Sequence, residues 1–149
     1  MPVHQETRHL PYTPEQVYDL VADVERYPEF LPWCVACRIK TRETPTRFIA
    51  DLAVGFKMVR EQFTSRITLA PKTAITVDYL SGPFEHLRNT WGFKAAPGGG
   101  CEVDFFLTFE FRSKLLQAVI GALFEEAVHR MVSAFEARAA KLYGKKEPA

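Results

Sequence analysis

The stretch from Lys114 to about Tyr143 reads as one unbroken helix, and at about 1.5 Å per residue it runs roughly 45 Å. A compact domain of this chain length is about 40 Å across, so the helix spans it and the rest of the chain must be arranged around it. Between Leu115 and Phe124 the residues are apolar nearly all round, which predicts cover on most sides. After Glu125 the pattern turns amphipathic, with Val128, Met131, Val132, Phe135 and Leu142 at three- and four-residue spacing. Such a helix needs a large concave partner. A plain core helix with no ligand satisfies the same pattern.

At 149 residues the chain is long enough to bury a core without staples, and a single domain over residues 1–144 with a polar tail at 145–149 is the economical division. Aromatic residues make up 13% and include twelve Phe, so many large apolar side chains must find places inside. A net charge of +1 with scattered Lys and Arg carries no nucleic-acid footprint and argues against DNA as a partner. Three cysteines, an odd count, fit a reducing compartment better than a disulfide framework. The first residues lack the basic-then-apolar layout of a signal peptide, and the longest apolar run, near ten residues, is too short to span a bilayer. The expected location is the cytoplasm, with at most a peripheral contact at the inner membrane.

Val3 to Leu10 reads as a polar edge strand. Thr13 is a good N-cap, followed by Pro14 at the first helical position and Gln16 three residues after the cap, which predicts a helix to about Ala22. Asp23 to Pro28 predicts a second short helix stopped by proline. The next segment carries Phe30, Leu31 and Trp33 around Pro28 and Pro32, unusually apolar for a connector, and should cap something apolar.

Six antiparallel strands follow, near 34–43, 47–54, 57–69, 73–80, 87–95 and 100–111. Their breaks include the Gly55-Phe56 pair, Ser81-Gly82-Pro83 and the run Ala96 to Gly100, whose glycines read as a hairpin turn. Period-two alternation points Val103, Phe105, Leu107, Phe109 and Phe111 inward from the last strand, with Leu87, Trp91 and Phe93 from the one before. The inward set of the third strand is Val59, Glu61, Phe63, Ser65, Ile67 and Leu69, which puts a carboxylate on the apolar face. Asn89 is the second polar residue aimed inward. A buried Glu is costly unless paired or protonated, so Glu61 lies near a rim, has a basic partner, meets a ligand or water, or acts in catalysis, unless the register differs by one residue and turns it outward.

No assembled active site is visible. Cys34 and Cys37 have CxxC spacing, but no second pair follows, and on a regular strand residues three apart point to opposite faces. The four histidines form no metal spacing, and there is no nucleophile elbow, Walker loop or dinucleotide fingerprint. An acid/base role for Glu61 with Tyr79 or His86 is chemically conceivable without being required.

The order of strand, two short helices, six-stranded meander and long helix lets a curved antiparallel sheet wrap the last helix. The tracts Leu20 to Cys34, Val54-Gly55-Phe56-Lys57, Arg60 to Arg66, Ser81-Gly82-Pro83-Phe84 with Leu87 and Trp91-Gly92-Phe93, and Phe109-Glu110-Phe111 resemble the coenzyme Q-binding branch of the START-like superfamily. That branch also contains the bacterial ribosome-association toxin. The resemblance runs from about Val3 to Tyr143.

It implies an α+β helix-grip fold of the START/Bet v 1-like kind, whose tunnel holds a polyprenyl quinone such as ubiquinone or another hydrophobic lipid. The implied role is carrier or chaperone in respiratory electron transport or quinone biosynthesis, not enzyme, with no cofactor beyond that bound ligand and no metal. The expected lining is Phe30, Leu31 and Trp33 in the entrance loop, and Phe56, Pro83 and Phe84 at the turns. The sheet would add Trp91, Phe105 and Phe109, and the helix Leu116, Val119, Ile120 and Leu123. Glu61 and Asn89 are the expected headgroup contacts. Two other classes remain open: a toxin-like module on the large ribosomal subunit, for which Arg38, Lys40, Arg42 and Arg47 offer only scattered charge, and a polyketide cyclase or aromatase.

Overall fold

The computed structural model of the chain describes residues 3–31, 33–56 and 59–144, except for the side chains of Phe56, Val59, Ile120 and residues 122–125. The strands are β1 (Val3–Leu10), β2 (Cys34–Thr44), β3 (Arg47–Phe56), β4 (Val59–Ala70), β5 (Ala74–Ser81), β6 (Phe84–Ala95) and β7 (Cys101–Phe111). Between β1 and β2 lie helix α1 (Pro14–Ala22) and a 3₁₀ helix, Val24–Glu29, and the chain continues from β7 into α2 (Lys114–Tyr143). The seven strands form one antiparallel sheet in the order β1-β7-β6-β5-β4-β3-β2. The expected helix-grip architecture is present.

Local chemistry accounts for the element ends. Thr13 caps α1 by accepting the Gln16 N–H at 3.1 Å, while the Gln16 side chain takes the Thr13 N–H at 3.0 Å, and Pro14 opens the helix. Gly82 has φ of +144°, and a Cβ there would come within 2.6 Å of the Phe63 Cβ, so this turn requires glycine. The Gly55-Phe56 pair is not a turn as the sequence suggested. Both residues stay in the ladder, opposite Arg60 and Val59, and the connection at 57–58 lies outside the described residues.

Interruptions in register at Cys34/Ala36, Ile39/Thr41 and Arg42/Thr44 of β2, between Thr64 and Ser65, and at Phe84/His86 bend the strands, as extra unpaired residues do. The sheet therefore presents a concave face to α2. The second half of α2 fills one end of it, with Val128, Val132, Phe135 and Ala139 buried. Phe135 is a hub: its ring meets Trp91 at 5.1 Å, Phe30 at 5.2 Å and Tyr27 at 5.5 Å. Three ties hold this end in place. Tyr12 donates to the Gly144 carbonyl at 3.0 Å, Tyr143 to the Gln16 carbonyl at 2.9 Å, and Arg8 to Glu136.

The first half of α2 departs from expectation. Among its described side chains, instead of being covered on most sides, it leaves Leu115 74% and Val119 40% exposed, because the α2 backbone lies closest to α1, β1 and β7. Leu142, grouped with the apolar stripe, is also exposed. Among the described residues no helix is long and apolar enough to cross a membrane.

Candidate functional site

Where the sheet and α2 part, they enclose a cavity of about 300 Å³. Its floor follows the period-two pattern of β4: Glu61, Phe63, Ser65 and Ile67 all line it, as do Trp91 from β6 and Phe105 and Phe109 from β7. Leu31 and Trp33 come from the segment before β2, and Ala127, Val128, Met131 and Phe135 from α2.

Of the residues expected from sequence, Leu31, Trp33, Glu61, Phe84, Asn89, Trp91, Phe105 and Phe109 share this wall. Others sit elsewhere. Phe30 packs edge-on against Tyr27 and Phe135, with the Arg138 guanidinium 5.1 Å from its ring centroid. Pro83 and Leu116 are half-buried outside the wall, and Val119 is exposed. The side chains of Phe56, Ile120 and Leu123 lie outside the described residues. Phe84 is buried in the wall, stacked on Phe111 at 4.6 Å and edge-on to Phe63 at 5.2 Å.

The segment before β2 is fastened to α2. The Trp33 indole N–H donates to the Ala127 carbonyl at 3.1 Å, and Arg138 donates to Glu29 at 2.8 Å. That hydrogen bond holds the Glu29 carboxyl below the usual carboxylate range. Tyr27, half-buried overall, donates its phenol O–H to the Val21 carbonyl, and desolvation drives that phenol far above the ordinary value.

The polar groups of the wall divide by whether the protein already uses them. Asn89 is used: its amide donates to the Phe106 carbonyl at 2.8 Å and accepts the Trp91 indole N–H at 2.9 Å. Glu61 is half-buried, with no hydrogen bond or ion pair among the described residues, so no basic partner there accounts for its inward position. Ser65, 4% exposed, has a hydroxyl with no hydrogen-bond partner. Sequence reading placed Ser65 inward but did not single it out, because a serine between Phe63 and Ile67 looks like any small strand residue.

Cys34 and Cys37 both line the cavity. The alternation rule put them on opposite faces, and the register shift between Cys34 and Ala36 inserts the residue that brings them to one. Burial pushes the Cys34 thiol up to about 11 and the Cys37 thiol up to about 12, so both are protonated at neutral pH and poorly suited to redox or metal chemistry. No cluster suited to a metal ion occurs among the described residues. The two groups considered as acid/base partners for Glu61 are placed otherwise: the Tyr79 oxygen accepts the Phe84 N–H at 3.1 Å, and His86 lies outside the wall, 3.9 Å from Glu110.

The chain is 40% identical over 140 residues to the ribosome association toxin RatA of Pseudomonas aeruginosa, covering 94% of this chain and 96% of that protein. It is 36% identical over 149 residues to the mitochondrial coenzyme Q-binding protein COQ10 homolog B of Xenopus laevis, covering 97% of this chain and 60% of that longer protein. A START superfamily protein from Mycobacterium smegmatis superposes with a TM-score of 0.80 over 94% of this chain and 98% of that one, and at 18% identity it bears on the fold alone. Residues 10–136 match the model of one family. With that match, and with relatives at this identity over nearly its whole length, the chain belongs to the polyketide cyclase / dehydrase and lipid transport family.

Proposed function

We propose that the protein binds a polyprenyl quinone, or a lipid of similar chemistry, in the cavity between sheet and α2, and acts by holding and delivering it without chemical change. The observation that carries this reading is the wall itself: aromatic and aliphatic side chains enclose about 300 Å³, with few polar groups and no acid/base pair among the described residues. That volume is at the small end of the roughly 300–1,000 Å³ typical of ligand sites, so a long isoprenoid chain is held in part. Each buried methylene is worth roughly 0.8 kcal/mol against water, enough for a few prenyl units to bind firmly. The coenzyme Q-binding name of a relative at 36% identity supports the same ligand class.

The test is mass spectrometry of organic extracts from protein purified without detergent from its native host. A stoichiometric polyprenyl quinone is the expected result. Protein that is empty, or filled only with phospholipid, would count against the reading.

Large-subunit association is the second reading, favoured by the name of the relatives at 40% identity. The surface that offers itself is the edge strand β2, where Arg38, Lys40 and Arg42 are exposed. Its charge is partly offset: Lys40 lies 3.9 Å from Asp51, and the adjacent Glu43 pairs with Arg66 at 2.8 Å. Sedimentation with large ribosomal subunits at moderate salt separates this reading from the first.

A further inference from the structure

Resting on the quinone-class reading of the cavity, we propose that the Ser65 hydroxyl donates a hydrogen bond to a carbonyl oxygen of the ligand, so that the ligand lies with its headgroup inward. Ser65 stands in the middle of β4, 4% exposed, between Phe63 and Ile67 on the cavity side. A buried hydroxyl without a partner disfavours the folded state, and alanine would fit the same space without that cost. The residues around Ser65 do not satisfy it. Its partner on β3 is Ala50, and its partner on β5 is Tyr79, whose oxygen already takes the Phe84 N–H. Asn89 is committed to Phe106 and Trp91.

A serine hydroxyl has one hydrogen to donate, which suits a carbonyl acceptor. Glu61 does not. It lies four residues away on the same face, about 13 Å along an extended strand, and carboxylate oxygens repel a carbonyl oxygen. Its partial exposure places it toward the rim, whereas Ser65 is enclosed. The polar end of the ligand therefore goes past Glu61 to Ser65, and the part of the tail too long for the cavity trails outward.

Trp33 and Trp91 both line the cavity, so their fluorescence reports binding. The experiment titrates a quinone with a short alkyl tail, and an alkylbenzene of the same tail without oxygen, into the wild-type protein and Ser65→Ala. The expected result is a roughly three- to tenfold weaker quinone affinity in the variant, an unchanged alkylbenzene affinity, and a higher melting temperature without ligand. Ser65→Cys, close in size but a weak donor, should weaken the quinone in the same direction and guards against a misfolded alanine variant. Equal losses for both ligands, or no loss for the quinone, overturn the Ser65 assignment while leaving quinone binding intact. Wild-type protein that takes up no quinone overturns both.

Discussion

The Trp33 indole N–H and the Ala127 carbonyl, 3.1 Å apart, join the segment before β2 to the middle of α2. Both residues also line the cavity, so this hydrogen bond closes part of its wall. Trp33→Phe keeps a ring in place and removes the donor. The variant should fold with a loss of about 0.5–1.5 kcal/mol and release a bound fluorescent lipid faster, as measured by stopped-flow transfer to vesicles. An unchanged release rate would mean that this contact does not limit exchange.

Asn89 acts inside the protein before it meets any ligand. Asn89→Ala leaves the Trp91 indole N–H and the Phe106 carbonyl without the partners they now have, and should cost about 1–3 kcal/mol. Urea denaturation measures this through the transition midpoint. A variant of undiminished stability but reduced quinone affinity would instead give Asn89 the ligand contact first expected of it.

Ala50 is 3% exposed and lines the cavity on β3, directly opposite Ser65. Ala50→Leu places a larger side chain in the space a ligand would take. Unliganded stability should rise by about 0.5–2 kcal/mol, the usual yield of filling a void, while the quinone recovered by extraction falls sharply. Full quinone load in a folded Ala50→Leu protein would put the ligand somewhere else.

Cys34 and Cys37 carry thiols raised to about 11 and about 12 from an ordinary value of 9.0. Below pH 9 both remain protonated in the folded and unfolded chains, and their contribution to stability is constant. As pH rises past 9 the unfolded chain loses protons that the folded one keeps, so stability falls toward pH 11. Thermal melts across pH 8–11 should show that decline, and iodoacetamide at pH 8 should label both thiols far more slowly in native protein than in urea. Rapid native labelling would show that these thiols are not shielded.

The fold was legible because its signals are redundant. Thr13, Pro14 and Gln16 mark one helix start by three independent effects, and the alternation in β7 survives as buried Val103, Phe105, Phe109 and Phe111. The site was legible only where it reuses those periodicities, as at Glu61, Trp91, Phe105 and Phe109. Alternation misleads where one residue breaks the period: the register shift after Cys34 turns two thiols to the same side. Sequence pattern is also silent where the determinant is nonlocal. Apolarity around Leu115 and Val119 says nothing of which strands reach that part of the helix, and a hydroxyl such as that of Ser65 is visible as an orphan only once its neighbours are known.

Among the ladders of this sheet, six form between neighbouring strands, five of them between strands consecutive in the chain, and only β1 must reach across, pairing Val3 with Thr108 through Leu10 with Cys101. During synthesis β1 therefore cannot pair until β7 has been made about a hundred residues later, whereas the other strands can pair with their neighbours in the chain. An unpaired strand is open to capture by a neighbouring chain for that whole interval. Glu6 and Arg8, on the side of β1 that later meets Phe105, Val103 and Glu136, put charge where an apolar strand would invite such capture, and so let the chain tolerate the delay that its own topology imposes.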